Sequence, residues 1–319
     1  MKKLFRTSGN WYKGNLHMHT SRSDGEVSLD VAINIYKNAG YDFISITDHW
    51  IQGEDKMEDG FLMINGCEWD TGDMLKYQVY HIVGIGMESE VMLKRSPSLP
   101  PQEIIDAIVS AKGIPILAHP AWSVTNPLEC MSLNGLCGVE LYNSVSDLPF
   151  NGRRSDSSIY FDLWAAQGKL FGCMAADDSH FYKGEETRSF IMVNAEELSK
   201  KAIKDALLKG DYYASQGPLF YSIEYNDEVV EVKCQEVETI VFYSNTVWCP
   251  DRVFTGGVDC ATYKIKPTDQ YVRIELIDSN GNMAWSSPFF VNGCEKNLDY
   301  NTDYEETELR TNKDKSKQR

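Results

Sequence analysis

Between residues 14 and about 215, short apolar runs alternate with segments whose apolar positions recur at helical spacing. The runs at 43–46, 61–64, 79–85, 114–118, 139–142, 170–175 and 190–193 have the length and β-branched content of buried strands. Helices are expected between several of them. Ser28 is placed to cap one that carries Ala32, Ile35 and Tyr36 on one face and stops at Gly40. Pro101 opens a second, with Ile104, Ile105, Ile108 and Val109 along one side and Gly113 beyond its last turn. A third is expected over 157–167 before Gly168, and a fourth over 196–209 before Gly210. This alternation predicts an α/β domain over 1–217 with a largely parallel sheet.

After Gly217-Pro218 the periodicity changes. Runs near 219–225, 239–243, 271–276 and 289–291 alternate in polarity and are split by turn signals such as Asn226-Asp227 and Asn280-Gly281. They predict a small antiparallel, sandwich-like β domain over 218–293. From 294 to 319 the chain is polar and charged, the composition of a flexible tail.

Composition narrows the function classes. The 319 residues are 42% hydrophobic and 24% charged, ordinary for a globular protein, and no window is apolar enough to span a bilayer. The basic start Met1-Lys2-Lys3 is followed by no apolar stretch, which points to a cytoplasmic address. Eight cysteines are scattered with no CxxC pair, which reads as reduced thiols rather than a disulfide framework. A net charge of −16 disfavours long nucleic acid as a partner. It leaves a small phosphorylated substrate open, because bound cations set the local sign of a site.

The candidate chemistry lies in the histidines. All six, His17, His19, His49, His81, His119 and His180, fall in the first domain. Most follow an expected strand, and in parallel α/β sheets the carboxyl ends of strands share one face where sites are built. Alternate residues of an extended chain point the same way, so His17 and His19 can grip one ion, as can Asp178 and His180. Glu68, expected just past the 61–64 strand, can bridge two ions, and Asp24 offers a further oxygen ligand. A lone histidine is more often a satisfied core or surface group than a ligand. The joint pattern favours ligation, and His81, inside a strand-like run, is the member that spacing supports least. Imidazole with carboxylate suits zinc, manganese or iron.

The motifs His17-Met18-His19-Thr20, Ser23-Asp24-Gly25, Thr47-Asp48-His49, Glu68, His81-Ile82-Val83-Gly84, Ala118-His119-Pro120 and Asp178-Ser179-His180 resemble the PHP (polymerase and histidinol phosphatase) superfamily over roughly residues 14–217. The resemblance implies a distorted (β/α)7 barrel with two or three divalent ions. It implies that His17, His19, Glu68 and Asp178 hold one ion, that Glu68, His81 and His119 hold a second, and that Asp24, His49 and His180 hold a third. Glu68 would bridge, and the DxH spacing selects Asp178 over its neighbour Asp177.

That reading makes the chain a metal-dependent phosphoesterase acting on a small phosphomonoester, with Glu68, Asp178 and His180 as its catalytic positions. Arg153, Arg154, Lys183 and Arg188, in or near loops flanking the strand that leads to Asp178, are candidate phosphate contacts, with solvated surface charge the competing reading. Asn143 is a polar candidate at a strand end, and Trp50, Trp69 and Trp122 are either stacking partners or core. Rival readings are a phosphodiesterase or exonuclease on short oligonucleotides and an inactive metal-binding interaction protein.

Overall fold

A computed structural model of the protein describes residues 1–294. The tail expected from 294 onward therefore lies, apart from Cys294, outside the described residues. The first unit carries strands β1 (Asn10–Asn15), β2 (Phe43–Ile46), β3 (Phe61–Asp73), β4 (Tyr77–Ile85), β5 (Ile114–Leu117), β6 (Gly138–Asn143), β7 (Gly172–Ala176), β8 (Phe190–Ala195) and β9 (Tyr212–Ser215). Its longer helices are α1 (Leu29–Asn38), α2 (Pro101–Ser110), α3 (Ser158–Ala166) and α4 (Lys200–Lys209).

Strands β1, β2 and β3 pair in parallel, as do β5, β6 and β7. Strand β4 runs antiparallel to both of its neighbours, β3 and β5. The physical reason is the connection: Asp73 pairs with Tyr77 across a tight turn, and so short a link allows only a hairpin. The sheet is thus mixed, and the helix that a regular (β/α) repeat needs after every strand is missing after β3. Between β5 and β6 the described chain forms only a one-turn helix, Pro127–Cys130. Strand β3 also runs to Asp73, well beyond the expected end at 64, so Glu68 sits within it.

The helices form where patterning and caps agree. In α2, Pro101 occupies the first turn, and Ile104, Ile105 and Ile108 are buried, while Val109 is exposed on the edge of that face. Burying each such isoleucine contributes about 1.5–3 kcal/mol relative to leaving it in water. In α4, Ser199 accepts a hydrogen bond from the Ala202 N–H, and Gly210 closes the helix in the left-handed conformation, so the helix starts four residues after 196.

The second unit comprises β10 (Phe220–Tyr225), β11 (Val229–Tyr243), β12 (Val253–Lys264), β13 (Tyr271–Ile277), β14 (Met283–Trp285) and β15 (Phe289–Phe290). All its pairings are antiparallel. The long β11 organises it, pairing with β12 along its length, with β10 in its first half and with β13 in its second. The alternate apolar residues Val230, Val232, Ile240 and Phe242 of β11 enter a core shared with Phe220, Ile223, Ile274 and Leu276.

Hydrogen bonds cross between the two units. Strand β9 pairs with β8 on one side and with β14 on the other. Trp285 of β14 is fully buried in the core of the first unit and stacks on Tyr142 with centroids 5.5 Å apart. Arg273 of β13, 3% exposed, reaches Asp162 of α3 with Nη2 at 2.6 Å and Nε at 2.8 Å, and also meets Glu275.

Candidate metal centre

The carboxyl ends of β1, β2, β3, β5, β6 and β7 lie at one end of the sheet, and every candidate ligand is delivered there. His17 and His19 extend β1. The His19 N–H donates to the Ser179 carbonyl at 2.9 Å and the Asp178 N–H to the His17 carbonyl at 2.8 Å, which fixes the two strand extensions side by side. His49 follows β2 and is bridged to Glu68 of β3. His119 follows β5, and Asp178 and His180 follow β7. His81 arrives from the opposite direction. Because β4 is antiparallel, its N-terminal half lies at this end, and His81 pairs with Asp70 in register. A strand read as parallel would have placed it mid-sheet.

The nine side chains converge. Nε2 of His17 and of His19 lie 3.1 and 3.0 Å from Glu68 Oε2 and 3.1 and 3.0 Å from Asp178 Oδ1. The other Glu68 oxygen, Oε1, faces His81 Nδ1 at 2.8 Å and His119 Nε2 at 3.6 Å. Asp24 stands at the mouth, half exposed, with its oxygens 3.5 Å from His180 Nε2 and 3.7 Å from His49 Nε2. Three donor sets each lie within 4.8 Å: His17, His19, Glu68 and Asp178; His49, Glu68 and His81; and His19, Asp24, His49 and His180. The first is the set the resemblance implied. In the second His49 takes the place expected for His119, whose Nε2 stands 3.6 Å from both Glu68 and Asp178. In the third His19 joins the expected trio.

Backbone geometry serves this convergence. His119 and Asp178 adopt positive φ, 27° and 53°, a conformation that a non-glycine residue holds only when its surroundings fix it. Gly25 packs so closely under His19 that a Cβ would lie 2.6 Å from the His19 carbonyl oxygen, which accounts for glycine after Asp24. Asp48 stitches the same loop, accepting from the Thr20 N–H, the Thr20 hydroxyl and the Ser23 hydroxyl at 2.8 Å each.

The cluster fits divalent cations on its own chemistry. Glu68 and Asp178 are buried side by side, an arrangement of two carboxylates that needs positive charge between them. Asp178 Oδ1 and His49 Nδ1 are buried and accept or donate no hydrogen bond. The ring orientations agree. The Nδ1–H of His17 donates to Glu140 at 2.7 Å, and that of His180 donates to the Asp178 carbonyl at 2.7 Å, leaving each Nε2 lone pair aimed into the site.

Without a cation the imidazoles answer the carboxylates. For His49 and His180 burial alone would lower the pKa, but for His49 Glu68 and for His180 Asp178 lead the carboxylates that outweigh it, holding each up to about 9. For Asp24 burial would raise the pKa, yet the imidazoles of His180, His19 and His49 hold it well below the usual carboxylate range.

Asp178, not Asp177, faces the cluster. Asp177 is buried behind it, accepting from the Tyr36 and Ser144 hydroxyls and from the N–H groups of 187, 188 and 189, and desolvation pushes its pKa up to about 7. Asn143 donates to Asp178 Oδ2 at 3.2 Å and to Glu140 at 2.9 Å, so it braces two acidic groups of the site.

Two residues of the site lie outside the motifs that the sequence singled out. Glu140 sits inside the apolar run of β6, and its burial and contact with His17 come only from the fold. Asp70, two positions after Glu68 and therefore on the same face of β3, accepts from the indole N–H of Trp50 at 2.7 Å and lies 3.5 Å from His49. Period-2 alternation was the signal that could have found it.

Two clefts open over the cluster. The inner, about 300 Å³, is lined by Asp24, His49, Glu68, His81, His119 and Asp178, with Trp122 and Phe181 among its walls. The outer, about 440 Å³, is lined by Ser23, Asp24, His49, Asp70, His81 and Arg95. Trp122 packs edge-on against His119 and His81, whereas Trp69 is buried core. Arg153, Arg154, Lys183 and Arg188 line neither cleft. Lys183 pairs with Glu26 at 2.7 Å and Arg188 with Asp147 at 3.4 Å, while the Arg154 backbone N–H is tied to the Ser146 carbonyl. Among the described residues no helix is long and apolar enough to cross a membrane.

No family model and no curated protein matches the chain. Solved structures do. A two-domain protein from Bacteroides vulgatus, described as containing a predicted PHP-like metal-dependent phosphoesterase, aligns over 88% of this chain and 95% of its own at 15% identity and a TM-score of 0.51. The chain therefore shares that protein's fold across both units. An amidohydrolase from Chromobacterium violaceum, solved with sulfate and no metal, aligns over 54% of this chain and 89% of its own at 15% identity and a TM-score of 0.38. A protein from Bifidobacterium adolescentis assigned as a metal-dependent phosphoesterase aligns over 52% and 87% at 14% identity and a TM-score of 0.36.

Proposed function

From this shared fold and donor set we propose that the chain is a metal-dependent hydrolase of small phosphate esters. One observation carries the reading: six imidazoles and three carboxylates, from seven separate stretches of sequence, converge at one end of the sheet beneath two clefts of about 300 and 440 Å³. When bound, divalent cations supply a water ionised near neutral pH and a counter-charge for the phosphoryl oxygens. His17, His19, Glu68 and Asp178 would hold one ion at the buried end. Glu68, with one oxygen toward His17 and His19 and the other toward His81 and His119, would bridge that ion to a second. Asp24, His49 and His180 would hold a third at the mouth. The group placed between the two halves of the cluster is a carboxylate, Glu68, and among the described residues lining the clefts there is no lysine.

The residues also shape what enters. Glu140 and Asn143 hold His17 and Asp178 in place, so the donors are set before substrate arrives. The small clefts and the charge of −16 suit a monoester or short fragment rather than a long polyanion. We read the sheet as a distorted barrel closed by the pairing of the β1 and β7 extensions, and residues 1–217 and 218–293 as two domains.

The test is metal analysis of the purified protein, with turnover of p-nitrophenyl phosphate, its bis-ester and short oligonucleotides measured with and without chelator. The expected result is at least two equivalents of zinc, manganese or iron and chelator-sensitive release of phosphate from the monoester. Preference for the bis-ester would move the assignment to diesters. No turnover on any of the three by loaded protein would overturn it.

A further inference from the structure

Arg95 lies in the segment between β4 and α2, outside every ligand motif, yet it is the one arginine or lysine among the described residues lining the outer cleft, beside the ligand candidates His49 and His81 and the carboxylates of Asp24 and Asp70. An arginine that is 63% exposed is ordinarily loosely held; this one is gripped from two sides. Its Nη2 donates to both oxygens of Asp70, at 2.9 and 2.7 Å, and its guanidinium lies 5.7 Å from the centroid of the Trp50 ring. Trp50 in turn donates to the same Asp70 oxygen at 2.7 Å, so Trp50, Asp70 and Arg95 form one braced unit. The Nε and Nη1 donors of Arg95 have no partner among the described residues. The outer cleft shares Asp24, His49 and His81 with the inner one, so a molecule held at the cluster has a continuous path toward Arg95.

We propose that the outer cleft is a second anion-binding subsite, in which Arg95 recognises a carboxylate or second phosphate on the non-reacting part of the substrate. A planar fork with fixed orientation matches an oxyanion better than a mobile lysine does. Positioning matters because cations held by the cluster would take only the reacting group, so selection among esters would fall to whatever binds the remainder. The inference rests on the phosphoester reading for its kinetics but not for its binding.

The experiment compares phenyl phosphate with 4-carboxyphenyl phosphate, which differ by one distal carboxylate, on metal-loaded full-length protein and its Arg95→Ala and Arg95→Lys variants. Direct binding is followed by Trp50 fluorescence, with Trp50→Phe as the assignment control, and by calorimetry, and turnover by phosphate release. Wild type is expected to bind and turn over the carboxylated ester preferentially. The preference should fall about tenfold in Arg95→Ala, the loss expected for one charged hydrogen-bonding partner, and return in part in Arg95→Lys. An unchanged ratio of the two esters in Arg95→Ala, in both binding and turnover, would overturn the proposal. If neither ester is hydrolysed while the Arg95-dependent binding preference persists, the phosphoester reading fails and the anion subsite stands.

Discussion

The carboxylate of Glu140 lies 2.7 Å from Nδ1 of His17 and, through its other oxygen, 3.0 Å from the backbone N–H of His119. One buried acid thus fixes the ring of one candidate ligand and the strained backbone of another. Outer partners of this kind typically contribute 10–100-fold in metal affinity or activity. Glu140→Gln is therefore expected to weaken zinc or manganese affinity by about tenfold, and Glu140→Ala by more, with the fold intact by circular dichroism. Competition with a chromophoric chelator measures it. Unchanged affinity in both variants would remove Glu140 from the site.

Glu68 presents a different oxygen to each half of the cluster. Its removal should weaken the hold on both ions it would bridge. Glu68→Ala is expected to lower metal content by at least one equivalent and to reduce turnover by at least about 10²–10³-fold, the scale on which single electrostatic groups at a reacting centre act. Elemental analysis alongside phosphate release checks both, and near-wild-type turnover would exclude Glu68 from the chemistry.

The pH response of stability should differ between metal-free and metal-loaded protein. In chelator-treated protein His49 and His180 are held up to about 9, above an unfolded value near 6.5. Their protonation stabilises the fold fully below about pH 6.5 and is lost as pH rises through about 9. The metal-free Tm should therefore fall by several degrees over that window. Cations compete with those protons, so the increment in Tm on loading should grow over the same range. Scanning calorimetry from pH 6 to 9.5, with and without zinc, decides it; a metal-free Tm that rises with pH would contradict the electrostatics.

Arg273 joins the β unit to the helix α3 of the first unit through Asp162 while also neutralising buried Glu275. Arg273→Ala leaves that glutamate buried and unpaired, a change that costs about 3–5 kcal/mol in comparable pairs. Denaturant unfolding should show a loss of that size, or a split into two transitions as the units uncouple. A stability change below about 1 kcal/mol would mean that the ion pair is not what couples them.

Much of the ligand set was legible from the chain because its signals are local. Strand ends, the period-2 spacing of His17 with His19 and of Asp178 with His180, and the caps at Pro101 and Gly210 depend on neighbours within a few residues. What the tertiary structure alone decided depends on direction and partner. His81 belongs to the cluster because a hairpin reverses β4. Asp177 and Asp178, adjacent and chemically alike, are separated by a left-handed backbone at Asp178 that sends one carboxylate to the cluster and leaves the other in a hydroxyl network. Glu140 reads as an interruption of an apolar strand until His17, 123 residues away, is seen beside it. Arg95 lines the outer cleft while the four cations near Asp178 line neither, for the same reason: nearness along the chain says little about which loops close over one end of a sheet, since that is set by long-range strand pairing.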